Sequence, residues 1–337
     1  MRASFFLGNK TFEVREQELP RAGAGEVVIR NMACGVCGTD VHIYHGEPGS
    51  ADVTPPVVLG HEYSGVVTEV GEGVTSLRPG DHVTVDPNIY CGKCDYCRVG
   101  KKQLCEHMEA IGVTRNGGFA EYSVVPEGQA FLLSPKLPME FGAMAEPVAC
   151  CLHGIDRAEI CEGDTVCIVG GGAIGLIMVQ LARLAGAAKI ILSEPNEKRR
   201  SVGLSLGADI TIDPAAPGAM DGFRNAADVV IECVGNLPAV KSAFAYAKKG
   251  ANIVLFSVPK VDSKFDLPLF DVYKKELTIK GSFVNPDTHS RAVALLNAGK
   301  LNFDQIITHR FPLAQMPEAI AMQMSDQSIK VIVTPQE

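Results

Sequence analysis

The sequence contains no tryptophan, and aromatic residues make up only 6% of it. A substrate platform of stacked rings is therefore not expected. No run of about 18 apolar residues occurs, which excludes a membrane-spanning helix. The opening stretch MRASFFLGNKTFEV breaks into Gly8-Asn9-Lys10 before an apolar segment of secretory length forms, so a cytoplasmic protein is expected. A basic excess is also missing. The formal net charge is −8, which argues against nucleic acid or an anionic membrane as partner and leaves a small molecule.

What is present points to a folded, metal-binding chain. Hydrophobic residues make up 46% of the 337 and charged residues 21%, a soluble globular composition long enough for two domains. Eleven cysteines is a high number for a cytoplasmic chain, where disulfides are rare, so close spacings are read first as metal sites.

Residues 1–145 read as β-rich, with short apolar runs such as Glu26–Arg30, Tyr63–Val70 and His82–Asp86 broken by Gly and Pro. From about residue 160 strands alternate with helices. The strands are expected at 165–170, 189–194, 228–235, 252–258 and 277–283, and the helices at 173–187, 196–206 and 238–248. That rhythm is the signature of a parallel, doubly wound α/β sheet. The last segment, 286–337, is expected to return to the first domain, leaving 146–285 as the nucleotide domain.

Gly170-Gly171-Gly172-Ala173-Ile174-Gly175 fits G-x-G-x-x-G between a strand and a helix. Gly170 suits the tight turn, Gly172 lets the backbone approach a pyrophosphate, and Gly175 lets the helix pack on the strand. The helix start at Ala173 and Ile174 then offers unpaired N–H groups to the phosphates. Glu194, closing the next strand, is placed to bind the adenosine ribose and to repel a 2′-phosphate, favouring NAD over NADP. Arg199 is a further candidate cofactor contact, with a solvated helix face as the plainer alternative for it and for Arg200.

Cys91-x-x-Cys94-x-x-Cys97-x7-Cys105 can wrap one tetrahedral zinc. Four sulfur ligands leave no open position, so this ion is expected to be structural. Candidates for a second, catalytic zinc are Cys37, His61, Glu62 and Glu146. The other six cysteines (Cys34, Cys150, Cys151, Cys161, Cys167 and Cys233) are read as core packing.

The combination of CGTDVH, GHEYSGVV, the four-cysteine lobe and GGGAIG resembles the zinc-containing alcohol dehydrogenase family of medium-chain dehydrogenases, over essentially the whole chain. The resemblance implies a Rossmann NAD-binding domain beside a β-rich GroES-like catalytic domain with a structural-zinc lobe. It implies two zinc ions per chain, with Cys37 and His61 on the catalytic one. Where many relatives carry a third cysteine, this chain has Glu146-Pro147, as in the sorbitol (polyol) dehydrogenase branch. Glu62 and Glu146 are both expected near the metal, alternating between direct and indirect contact. Thr39 and His42 match the family's proton relay, and Asp40 matches the carboxylate that orients His61. Arg115, in a segment resembling the loop near the substrate cleft, is either a substrate contact or a solvated side chain.

The implied activity is oxidation of a secondary alcohol with NAD, with a sugar alcohol such as sorbitol or arabinitol leading. Butanediol, threonine, an aldonate or a phosphorylated polyol are alternatives, as is a non-catalytic zinc- and NAD-binding relative. A homo-oligomer, tetramer or dimer, is expected to pair through edge strands of the nucleotide domain.

Overall fold

The computed structural model describes residues 1–49 and 51–337. The chain divides into two compact units, Met1–Ala149 with Asn285–Glu337, and Cys150–Val284. The first division falls inside the helix Ala145–Ala158.

The first unit is organised around one long strand, Glu26–Gly35. It pairs antiparallel with Glu62–Val70, with Tyr122–Pro126 and, at its far end, with the returning strand Lys330–Thr334. Its inward side chains Val27 and Ile29 are fully buried in one core with Tyr63, Phe119 and Val331. Each such aliphatic side chain contributes about 1.5–3 kcal/mol of burial free energy. The register sets Gly35 opposite both Glu62 and Ile332. Three segments far apart in sequence, around residues 35, 62 and 330, therefore converge at one strand end.

The second unit is a six-stranded, wholly parallel sheet. Its spatial order is Ile210–Ile212, Lys189–Ser193, Thr165–Val169, Ala227–Glu232, Ala247–Leu255, Thr278–Gly281. The inner strands are buried along nearly their whole length, as strands covered by helices on both faces must be. The chain builds outward on one side of Thr165–Val169 and then crosses to the other. Strand order reverses there, and in open α/β sheets the ligand crevice lies outside the strand ends at such a point.

Some sequence expectations need correction. The helix expected at 238–248 spans Leu237–Tyr246, and the next strand begins at Ala247 because Ala247 already pairs with Ala227 before a bulge. Of the strands after the order reverses, Ala227–Glu232 lies inside the sheet and Thr278–Gly281 forms its border. Cys161 is exposed rather than in the core: it sits in a surface turn after Glu159, its N–H bonded to Asp164. Cys34 is buried beside the charges of Asp40, Glu62 and Lys330, so its surroundings are not simply apolar; burial first, then the two carboxylates, raise its thiol pKa well above the ordinary range. Among the described residues no helix is long and apolar enough to cross a membrane.

Candidate active site and metal centres

Cys37 stands at the N-cap of the helix Gly38–Tyr44, and its backbone N–H donates to the Asp40 carboxylate at 2.8 Å. This capping bond fixes Asp40, which is fully buried. The other Asp40 oxygen, Oδ1, faces His61 Nδ1 at 3.6 Å, and neither atom has a hydrogen-bond partner among the described residues. The imidazole is thus turned with Nδ1 toward a carboxylate, leaving Nε2 as the nitrogen to bind a metal. Donor atoms of Cys37, His61 and Glu62 all lie within 4.8 Å of one another.

Electrostatics show what this cluster wants. Burial disfavours a charged His61, but Asp40, Cys37 and Glu146 outweigh it and raise its pKa well above the usual range. The Asp40 pKa is raised too, chiefly by burial, which for a carboxyl disfavours the charged form. A thiol, an imidazole and carboxylates crowded together with excess negative charge form a donor set suited to zinc. Glu146, in the first turn of Ala145–Ala158 and 7% exposed, acts on His61 but stands outside the tight group of three.

One residue here had not been singled out from sequence. Lys330, 3% exposed, ion-pairs with Glu62 and donates to the Val36 carbonyl at 3.0 Å. Burial opposes its charge, yet Glu62 and Cys37 hold its pKa above the ordinary value. Gly35 makes the room, since a Cβ there would lie 2.2 Å from a Glu62 oxygen and 2.9 Å from Lys330 Cε. The available signal was a lone lysine opening the buried strand Lys330–Thr334.

Thr39 and His42, three residues apart on the short helix, share one face. Both are half-buried. His42 Nδ1 lies 2.5 Å from Glu47 Oε2, a second partner that the sequence reading omitted. Arg115 pairs with Glu109 at 3.2 Å.

The four lobe cysteines also place their sulfurs within 4.8 Å of one another. Backbone N–H groups aim at them: Cys94 N–H at the Cys91 sulfur, and Cys91 and His107 N–H at the Cys105 sulfur, all at 3.4 Å. Donors at Lys93 and Cys94 bring the Cys91 thiol down to about 6, whereas burial and its neighbours drive Cys97 up to about 12. Four sulfurs this close together, with backbone N–H groups aimed at two of them, fit a bound cation. Replacing Cys97 with Ser is expected to cost one zinc equivalent and lower the thermal midpoint by roughly 5 °C, the shift that about 2 kcal/mol gives in a domain of this size. Metal analysis and calorimetry read both changes.

In the second unit Gly170 has φ +104°, and a Cβ there would lie 2.6 Å from the Val234 side chain. A Cβ at Gly175 would lie 1.8 Å from the Gly170 carbonyl oxygen, so the helix Ala173–Leu184 sits directly on the turn. Nothing lies within 4 Å of a Cβ at Gly172, the helix N-cap, which leaves the approach open. The buried Glu194 carboxylate spans the turn, accepting from Gly171 N–H at 2.6 Å and Asn196 N–H at 2.8 Å. Arg200 donates to the carbonyls of Glu194 and Pro195. Arg199 lies in the helix Glu197–Ser205, its N–H capped by the Asn196 side chain. An open turn at a helix N-terminus, backed by a buried carboxylate, fits a dinucleotide.

Comparison with known proteins agrees with both units. Residues 23–135 match the alcohol dehydrogenase GroES-like domain, and residues 173–298 match the zinc-binding dehydrogenase family. The chain is 35% identical over 341 residues to a sorbitol dehydrogenase of Halalkalibacterium halodurans, covering 97% of each chain. It is 33% identical over 332 residues to an L-threonine 3-dehydrogenase of Caldanaerobacter subterraneus, covering 96% of this chain and 95% of the relative. A zinc-binding dehydrogenase from Sinorhizobium meliloti, solved with NADP, superposes with a TM-score of 0.95 at 40% identity over 99% of each chain.

Proposed function

The chain belongs to the zinc-containing medium-chain alcohol dehydrogenase family, and from that premise we propose that it oxidises a secondary carbinol of a polyol with NAD. The observation that carries the polyol reading is the donor set. Two carboxylates, Glu62 and Glu146, accompany Cys37 and His61, with no second thiol in the group of three. Carboxylates beside the metal accept hydrogen bonds from neighbouring hydroxyls, which a polyol has and a simple alkanol lacks.

When bound, zinc lowers the pKa of an alcohol and the oxidised nicotinamide accepts hydride. The chain's own residues do the rest. Cys37, His61 and a carboxylate from Glu62 or Glu146 hold the metal, and Asp40 keeps His61 in the required orientation. Thr39 accepts a hydrogen bond from the substrate hydroxyl, and His42 hands the proton outward. Glu47 fixes the His42 ring by bonding Nδ1, leaving the other nitrogen to receive that proton. The four lobe cysteines hold the structural zinc.

Gly170, Gly172 and Gly175 shape the pyrophosphate turn, and Glu194 favours NAD by repelling a 2′-phosphate. Arg200 spends its guanidinium on the carbonyls of Glu194 and Pro195 and on the Asp213 carboxylate, and Arg199 precedes it on the same helix. A dimer or tetramer formed through the nucleotide units is part of this proposal. The border strand Thr278–Gly281 carries one paired edge among the described residues, and Leu269, Phe270 and Tyr273 are exposed on the preceding helix.

The test is NADH formation, followed by absorbance, from zinc-replete protein supplied with sugar alcohols, their phosphates, butanediol, threonine and simple alcohols. Turnover is expected with polyols and NAD, with NADP at least about tenfold poorer in kcat/KM. Turnover confined to threonine or to simple alkanols would overturn the polyol assignment.

A further inference from the structure

The nucleotide unit buries a second carboxylate that has no part in the reading above. Glu232 closes the strand Ala227–Glu232 and is 1% exposed. Its Oε1 accepts from the N–H groups of Val234 at 2.7 Å and Gly235 at 2.9 Å, and its Oε2 from the Ser257 hydroxyl at 2.5 Å. Its main-chain oxygen accepts from Phe256 and Ser257 at 3.0 and 3.2 Å. One residue thus ties the loop after its own strand to the loop after the neighbouring strand Ala247–Leu255.

Both loops leave the C-terminal ends of strands on the side of the sheet opposite Glu194. A dinucleotide lies across the reversal of strand order. With its adenosine ribose at Glu194, as proposed above, its other nucleoside half would extend toward residues 233–236 and 256–258. Those loops offer it an apolar wall, since Val234 is 45% exposed and Val258 57%. The wall is continuous with the phosphate turn. Gly170 packs on Val234, and a Cβ at Gly235 would lie 2.9 Å from the Val258 carbonyl oxygen. A buried carboxylate persists only where donors compensate it, and here all three donors to the Glu232 side chain, two backbone N–H groups and one hydroxyl, belong to the crevice loops.

We propose that Glu232 is a positioning residue for the nicotinamide–ribose half of the cofactor, bracing the loops that carry Val234 and Val258 through charge-assisted hydrogen bonds. The inference rests on the dinucleotide-dependent reading of this chain and extends it to a residue that need not touch the cofactor.

Calorimetric titration of the zinc-replete enzyme with NADH and, separately, with AMP tests it. AMP carries only the adenosine half. Glu232→Leu removes all three side-chain bonds and is expected to weaken NADH at least about tenfold while moving AMP less than about twofold. Glu232→Gln keeps an acceptor for the two N–H groups and a donor for Ser257, and is expected to bind both ligands nearly as the wild type does. Ser257→Ala, which removes one bond and spares the backbone, gives a smaller loss confined to NADH and decides the matter if the Leu variant does not fold. Equal weakening of NADH and AMP, or no weakening of either, overturns the positioning role. A wild-type enzyme that binds neither NADH nor NADPH instead overturns the dehydrogenase reading itself.

Discussion

Cys37→Ser is expected to lower turnover by at least about a thousandfold while leaving NADH affinity within about twofold. A metal that activates the substrate oxygen supplies several kcal/mol, and about 4 kcal/mol is three orders of magnitude in rate. The two effects separate because the residues assigned to the metal and to the dinucleotide lie in different units. Cys37 is also the N-cap of Gly38–Tyr44, and a serine hydroxyl caps at least as well as a thiol, so the fold should survive. A fully active Cys37→Ser enzyme would refute the metal assignment.

Lys330→Met should be the most destabilising single change near the site. Both side chains of the pair are almost fully buried, at 4% and 2% exposure. Removing the cation strands the Glu62 carboxylate in the interior, a loss of about 3–5 kcal/mol, or roughly 10 °C in thermal midpoint. Two controls distinguish this cause from lost packing. Zinc offsets part of the stranded charge, so the loss should be larger in chelator-treated than in zinc-replete protein. The double variant Lys330→Met with Glu62→Gln should recover most of it, since the two residues share one interaction. An unchanged midpoint in the single variant would mean that Glu62 is not held by Lys330.

What the sequence made legible depended on distance along the chain. The lobe cysteines and the glycine turn are local, with spacing that carries the chemistry, and the parallel sheet follows from an alternation visible in hydrophobic runs. The family resemblance then supplied the grouping of Cys37 with His61, which spacing alone left open. Lys330 was not legible because its partner lies 268 residues away and is brought near only by the register of the returning strand. Glu232 escaped notice for a related reason: an acid at a strand end resembles a solvent-facing boundary until the neighbouring loop closes over it. Cys161 shows the converse error, since an apolar residue beside it in sequence did not make a surface turn part of the core.

Zinc content of the purified enzyme, determined by atomic emission, tests the central claim most directly. Four lobe sulfurs and a separate Cys37–His61–carboxylate group predict about two zinc ions per chain, falling to about one in Cys37→Ser. One ion in the wild type, unchanged by that substitution, would leave a zinc-stabilised nucleotide-binding protein without a catalytic metal, and none would contradict both centres.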